Sequence, residues 1–267
     1  MPKTVLALMP HPDDAEYYAG GLLAQFTQQG GRVIIVIATD GRYGSYQYSK
    51  EELVPIRVEE AHRAAEVLGA DPPVFLGHPD FELDCLPAGA LREEFIRQIR
   101  RTCPDVVVAE DPFGTLETHP DHRQVARAAA EAVEYAGLPL VYPEHAVEGL
   151  KPHFVAEKYF YAEHNPHANK IVDITATFER KMAALAEHKS QVVFLVEGIL
   201  RQARQAGLDL SAIPGGIAND SLAALTWGQR FQAAHIGKQA GYQYGEAYRY
   251  ERYHQLVEML LNGEFPD

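Results

Sequence analysis

The sequence predicts an α/β fold: a Rossmann-like, doubly wound, mostly parallel sheet with helices on both faces and a C-terminal helical appendage. Three observations predict it. Short β-branched apolar runs alternate with longer stretches of helical period; the runs lack the polar alternation of half-exposed strands; and Gly or Pro punctuation separates each from the next. A chain of 267 residues is long enough to bury a full core.

Val5-Leu6-Ala7-Leu8-Met9 is apolar throughout and stops at Pro10, as a strand covered on both faces does. Ala15 to Gln29 turns helical, with Asp13 or Asp14 placed to cap it and Gly30-Gly31 to end it. Arg32 to Thr39 is β-branched and two-sided, a central strand. Arg57 to Leu68 is an amphipathic helix closed by Gly69, and Pro73 to Leu76 is the third strand. Leu91 to Thr102 is a further helix and Asp105 to Ala109 the fourth strand. The order β-α-β-α-β-α-β describes parallel strands joined by right-handed crossovers. Arg123 to Ala136 then reads as a helix, Lys158 to Tyr161 and Lys170 to Asp173 as strands, and Phe178 to Lys189 as a helix. Residues 1–190 are taken as the main α/β domain and 191–267 as the helical appendage packed on it. Within the appendage, 191–245 is broken by Pro214-Gly215-Gly216 and is expected to border the functional site or a subunit contact; Tyr242 to Tyr253 is dense in aromatics.

Composition excludes several classes. Lys and Arg number 24 against 37 Asp and Glu, a net charge of −13 with no basic cluster, so nucleic acid and anionic membrane are poor partners. The longest apolar stretch, Val33 to Ala38, is far short of a membrane span, and the N-terminus lacks a signal peptide's regions; a cytoplasmic protein is expected. Cys85 and Cys103 have neither metal nor disulfide spacing and read as reduced thiols.

In the common doubly wound order, strands 1 and 4 lie side by side, and the crevice above their carboxyl ends is the ligand site. His11-Pro12-Asp13-Asp14 follows strand 1 and His119-Pro120-Asp121-His122 follows strand 4. Alone, each reads equally as a turn with helix-capping residues. Facing one another across the crevice, they describe a split metal site in which two imidazoles and one carboxylate leave a coordination position open. At Zn²⁺ such a position lowers the pKa of water to about 7, and the same donors also take Fe²⁺, Co²⁺ or Mn²⁺. His78-Pro79-Asp80 shares three letters with the first motif, but it follows an edge strand without a second carboxylate and is read as a loop. A nucleotide-binding reading fails because the turn after strand 1 offers two carboxylates in place of Gly-x-Gly-x-x-Gly.

Further segments complete a pattern: Pro10 to Glu16 with Gly20-Gly21, Thr39-Asp40-Gly41, Arg57 with Glu60, Leu76-Gly77 with Pro79-Asp80, Pro104-Asp105, and Lys181-Met182 through Leu185 and His188 to Ser190-Gln191. Together with the two motifs, they resemble the LmbE/PIG-L family of zinc-dependent N-deacetylases as far as about Gln191. The resemblance implies hydrolysis of an N-acetyl amide, most often on an N-acetylglucosamine moiety or its conjugate. It implies His11, Asp14 and His122 as ligands, Asp13 as general base and an N-acetylated sugar as the small-molecule partner, with self-association into a homo-oligomer. Residue reasoning agrees on Asp13: of two adjacent carboxylates, one binds the ion and its neighbour is left to accept a proton.

His119 is expected to stabilise the tetrahedral species, and Asp121 to orient an imidazole by accepting its second N–H. Arg57 and Glu60, where the family contacts sugar hydroxyls, are expected at the opening of their helix; the other reading is an exposed ion pair. Glu16, a substrate-contact candidate, lies one residue later than in the commonest family pattern. The tyrosines of Arg42 to Tyr48, Tyr43 first among them, depart from it too, as does Glu117-Thr118, and these bear on substrate. His188 either reaches the site or faces solvent. Two competing readings are an amidase cutting a larger acyl group or thiol conjugate, and a non-catalytic sugar-binding protein on the same scaffold.

Overall fold

Four parallel strands, β1 (Thr4–Met9), β2 (Arg32–Thr39), β3 (Val74–His78) and β4 (Val106–Glu110), form the first part of a seven-stranded sheet. It continues through β5 (Glu157–Tyr161), β6 (Lys170–Asp173) and β7 (Gly245–Glu251) in the order β3-β2-β1-β4-β5-β7-β6. The computed structural model describes residues 1–208, 219–253 and 255–263. The doubly wound arrangement is found, with β1 paired to β2 through Val5↔Val33 and to β4 through Val5↔Val106.

The apolar runs lack alternation because both faces of the sheet are covered. Val5, Ala7 and Met9 point into one core with α1 (Asp14–Gln28), α2 (Lys50–Leu68) and Ala184 of α5 (Phe178–Leu185). Leu6 and Leu8 point into the other with α3 (Ala90–Thr102) and α4 (Pro120–Tyr135). Since β1 and β4 end level, at Leu8↔Ala109, the loops that follow them open onto the same crevice. No helix among the described residues is long and apolar enough to cross a membrane.

Three expectations need correction. First, α2 begins at Lys50, two turns before Arg57: Ser49 accepts the Glu52 N–H while the Glu52 carboxylate accepts the Ser49 N–H, a reciprocal capping box, and Pro55 lies inside the helix. Arg57 and Glu60 are therefore mid-helix. Second, the Phe178–Lys189 helix is broken, with α5 ending at Leu185 and α6 (Lys189–Gln205) starting after His188, which is fully buried in the N-cap position.

Third, segment 191–267 is not purely helical. It supplies α6, α7 (Ser221–Lys238) and α8 (Gln255–Leu261), but the aromatic-rich stretch is strand β7, antiparallel to both β5 and β6. The boundary at 190 thus divides one continuous sheet. Pro214-Gly215-Gly216 lies outside the described residues. Antiparallel β7 fits because Tyr248 is buried against Tyr159 of β5 while Tyr250 packs at its edge.

A buried charge clamp fastens β7 to the front of the molecule. The Glu246 carboxylate accepts the N–H groups of Gly21 and Leu22 at 2.9 Å each, the Lys181 ammonium at 2.8 Å and the Tyr248 hydroxyl at 2.7 Å. Gly21 also lets Ile174 pack directly on α1, since a Cβ there would come within 2.6 Å of the Ile174 side chain. Removing one partner of a buried ion pair leaves the other charge uncompensated, at a cost of about 3–5 kcal/mol. Lys181→Ala is expected to lower Tm by on the order of 10 °C in calorimetry; an unchanged Tm contradicts the clamp.

Candidate metal centre

The β1 and β4 loops bring both motifs together at the carboxyl edge of the sheet. The His11 N–H donates to Asp14 Oδ2 at 2.8 Å and closes the first turn, so α1 begins at Asp14. Asp13 occupies the N-cap position at φ 138°, yet its side chain caps nothing. Such a backbone costs about 1–3 kcal/mol and persists only where its surroundings impose it. Here Arg57 does so: Nη2 donates to Pro12 O at 2.6 Å and to Asp13 Oδ1 at 2.8 Å, and Nη1 to Gly41 O at 2.9 Å. Gly41 has φ +65°, and a Cβ there would lie 2.3 Å from Arg57 Nη1. On the opposite loop His119 stands at the N-cap of α4 with Pro120 next, so both motifs do start helices while presenting side chains to the crevice.

His11 Nδ1 lies 3.2 Å from Asp14 Oδ2 and 3.2 Å from His122 Nε2, and His122 Nε2 is 3.7 Å from Asp14 Oδ2. Donors bound to one tetrahedral ion at about 2.0–2.1 Å are separated by about 3.3 Å. The spacing and chemistry of this trio fit a divalent ion such as zinc. Two other groupings have comparable spacing: His11, Asp80, His119 and Asp121; and Glu110, Glu117 and His122.

The far nitrogen of each imidazole meets a carboxylate. His122 Nδ1 is 2.7 Å from Glu110 Oε2. His11 Nε2 is 3.0 Å from Asp80 Oδ1 and 3.4 Å from Asp121 Oδ2. Asp121 also accepts the Phe81 and Leu83 N–H groups, at 2.6 and 3.0 Å, which ties the loop after β3 over the crevice. His119 Nδ1 accepts the Asp121 N–H at 3.2 Å, which leaves the proton on Nε2.

Burial alone would lower His122, but Asp14 and Glu110 outweigh it and raise its pKa to about 9. His11 is likewise raised well above the usual range: burial opposes, and Asp121, Asp14 and Asp80 prevail. Asp14 is raised by burial but held at about 2 by His122 and His11. Asp13 is raised to about 6, mainly by burial, with Arg57 opposing. His119 is lowered by burial and by its imidazole neighbours, so it is neutral at pH 7.

His11, Asp13, Asp14, Arg57, His119, His122 and Tyr43 all line one cavity of about 550 Å³. Tyr43 is half exposed there with its hydroxyl on Lys50 Nζ at 2.9 Å, while Tyr46 packs on Phe194. Sequence reasoning missed several residues. Asp80 is not a bystander: its loop folds back from the edge strand, while His78 turns away to Glu94. Glu110, the last residue of β4, has no spacing rule to mark it.

Glu16 does not reach the cavity. It is buried with its Oε2 3.2 Å from His188 Nε2, so His188 faces neither solvent nor the cavity. Nor do Arg57 and Glu60 form an ion pair, because the Glu60 carboxylate accepts the N–H and hydroxyl of Ser190.

Fold and site together define a doubly wound α/β protein with a two-histidine, one-carboxylate group that could hold a metal ion at its switch point. Residues 6–133 match the PIG-L family, described as GlcNAc-PI de-N-acetylase. Over 191 residues the chain is 37% identical to diacetylchitobiose deacetylase of Thermococcus kodakarensis, which covers 71% of this chain and 70% of the relative. N,N'-diacetylchitobiose deacetylase from Pyrococcus horikoshii, solved with an inhibitor, aligns at TM-score 0.76 and 31% identity over 94% of this chain and 84% of its own. The chain belongs to the PIG-L family, and like these relatives it is a deacetylase enzyme. A 4-carboxy-2-hydroxymuconate hydratase from Pseudomonas putida KT2440 shares the fold at TM-score 0.68 and 19% identity over 95% of this chain and 98% of its own. The fold by itself therefore does not set the reaction.

A divalent ion needs both imidazoles neutral, whereas without it the raised pKa values of His11 and His122 favour a positive charge shared between them: His11 Nδ1 lies 3.2 Å from His122 Nε2, so one facing nitrogen donates and the other accepts. Asp14, held at about 2, has no proton to give. Calorimetric titration with Zn²⁺ in buffers of different ionisation enthalpy should therefore report about one proton or more released at pH 7, falling as the pH passes about 9. Release below one proton at pH 7 contradicts this electrostatic picture.

Proposed function

We propose that this enzyme removes the acetyl group from an N-acetylglucosamine moiety or its conjugate, using a divalent ion, zinc in the first instance, held by His11 Nδ1, Asp14 Oδ2 and His122 Nε2. The observation that carries the reading is the convergence of these three atoms, at 3.2, 3.2 and 3.7 Å, beside the strained and Arg57-bound Asp13. The trio is preferred over the two other groupings because all of its members line the cavity, whereas Asp121, Glu110 and Glu117 do not.

Bound there, the ion supplies Lewis acidity toward water and the amide carbonyl. Asp13 accepts the proton of the attacking water. Arg57 holds its Oδ1, which leaves Oδ2 for that proton, and a pKa of about 6 suits a group that takes a proton and returns it near neutrality. As the C–O bond forms and the C–N bond breaks, Asp13 hands the proton to the departing amine, and acetate and free amine result. His119 donates its Nε2–H to the carbonyl oxygen as negative charge develops there. Asp80 and Asp121 aim His11, and Glu110 aims His122. The cavity, about 550 Å³, suits a ligand of disaccharide size.

Asp13→Asn is expected to lower kcat for acetate release from N,N'-diacetylchitobiose by about 10²–10⁴-fold while zinc content stays at that of the wild type. A chelator should abolish wild-type release and added zinc restore it. Turnover retained by Asp13→Asn, or release indifferent to the chelator, overturns the proposal.

A further inference from the structure

The cavity over the metal centre has an unbalanced charge. Its acidic lining residues are Asp13, Asp14, Asp80 and Glu163, and Arg57 is the one Lys or Arg among its described lining. The Arg57 Nη groups are already committed to Asp13 and two carbonyls. Arg57 and a divalent ion between them offset Asp13, Asp14 and Asp80. Glu163 is not offset.

Glu163 follows β5 and is exposed, with no hydrogen bond or ion pair among the described residues. It stands where the cavity meets a second one of about 220 Å³, since Tyr17, Tyr18 and Glu163 line both. The neighbouring phenols bring no counter-charge: burial raises both hydroxyls, and the Glu163 charge raises them further. Lys181 lines the second cavity but is held by Glu246. Whatever extends from the reacting sugar toward this edge meets an uncompensated carboxylate.

We propose that Glu163 is a specificity residue: it turns away N-acetylglucosamine conjugates whose far end is anionic, such as a phosphate or carboxylate, and favours those whose far end is neutral or bears an ammonium group. The inference rests on the deacetylase reading above and narrows its substrate class. An exposed charge acts through partly screened Coulomb forces, so its effect is a few-fold and depends on salt.

The test compares kcat/KM for acetate release from N,N'-diacetylchitobiose, N-acetylglucosaminyl-glucosamine and N-acetylglucosamine 1-phosphate in wild type, Glu163→Gln and Glu163→Lys. Wild type should prefer the first two. The cationic-to-anionic ratio should fall about 3- to 5-fold in Glu163→Gln and about 10-fold or more in Glu163→Lys at low salt, with both effects shrinking at about 0.5 M salt. An unaltered ratio in both variants, or a shift that ignores salt, overturns the inference and leaves the reaction assignment standing. No acetate from any of the three substrates with zinc-loaded wild type overturns the reaction assignment and the inference with it.

Discussion

The Asp14 carboxylate, with the imidazoles of His11 and His122 against it in a buried crevice, is the contact on which the rest depends. Ionisable groups this close, taken out of water, need compensating charge. In the ion-free fold they find it by binding protons, which is why both imidazoles are raised and Asp14 is depressed. A divalent cation meets the same need with two charges at one point. The arrangement exists only because β1 and β4 are neighbours whose ends are level, so the sheet topology is the first determinant of the chemistry.

Around this contact a second tier fixes direction. Glu110 at the tip of β4 holds His122, and Asp80 with Asp121 holds His11, so neither ring can turn its far nitrogen into the crevice. Arg57 reaches from the middle of α2 to lock the first loop, and this is possible because residue 41 has no side chain to block the guanidinium. Arg57 therefore acts on Asp13 and the loop backbone, where the sequence suggested a sugar contact. Glu16 with His188, and Glu60 with Ser190, tie α1 and α2 to the start of α6 behind the cavity.

Much of this was legible in the sequence, for physical reasons that also explain what was not. Two-sided apolar runs such as Val33 to Ala38 identify buried parallel strands, and the order of strands and helices places the motifs after β1 and β4 across from one another. That order, with ligand chemistry, pointed to two imidazoles and one carboxylate from these motifs, and the family resemblance singled out His11, Asp14 and His122 among them. Asp80 did not stand out, because it follows an edge strand remote from the switch point in the chain order; the loop beyond that strand returns over the crevice, held by Asp121 and Asp40. Glu110 reads as the end of a strand. Contacts such as Glu16 to His188 join residues distant in the chain and carry no local pattern. Strand β7 needs both neighbours to be recognised, since Tyr248 and Glu246 make sense only against β5 and α1. The start of α2 was there to be read in Ser49 and Glu52, upstream of Pro55.

The most direct measurement is anomalous diffraction at the zinc edge from crystals of the zinc-loaded protein. The account predicts one strong peak within coordinating distance of His11 Nδ1, Asp14 Oδ2 and His122 Nε2, on the Nδ1 side of the His11 ring. A peak on the ring's other side, among Asp80, His119 and Asp121, or one between Glu110 and Glu117, would contradict it.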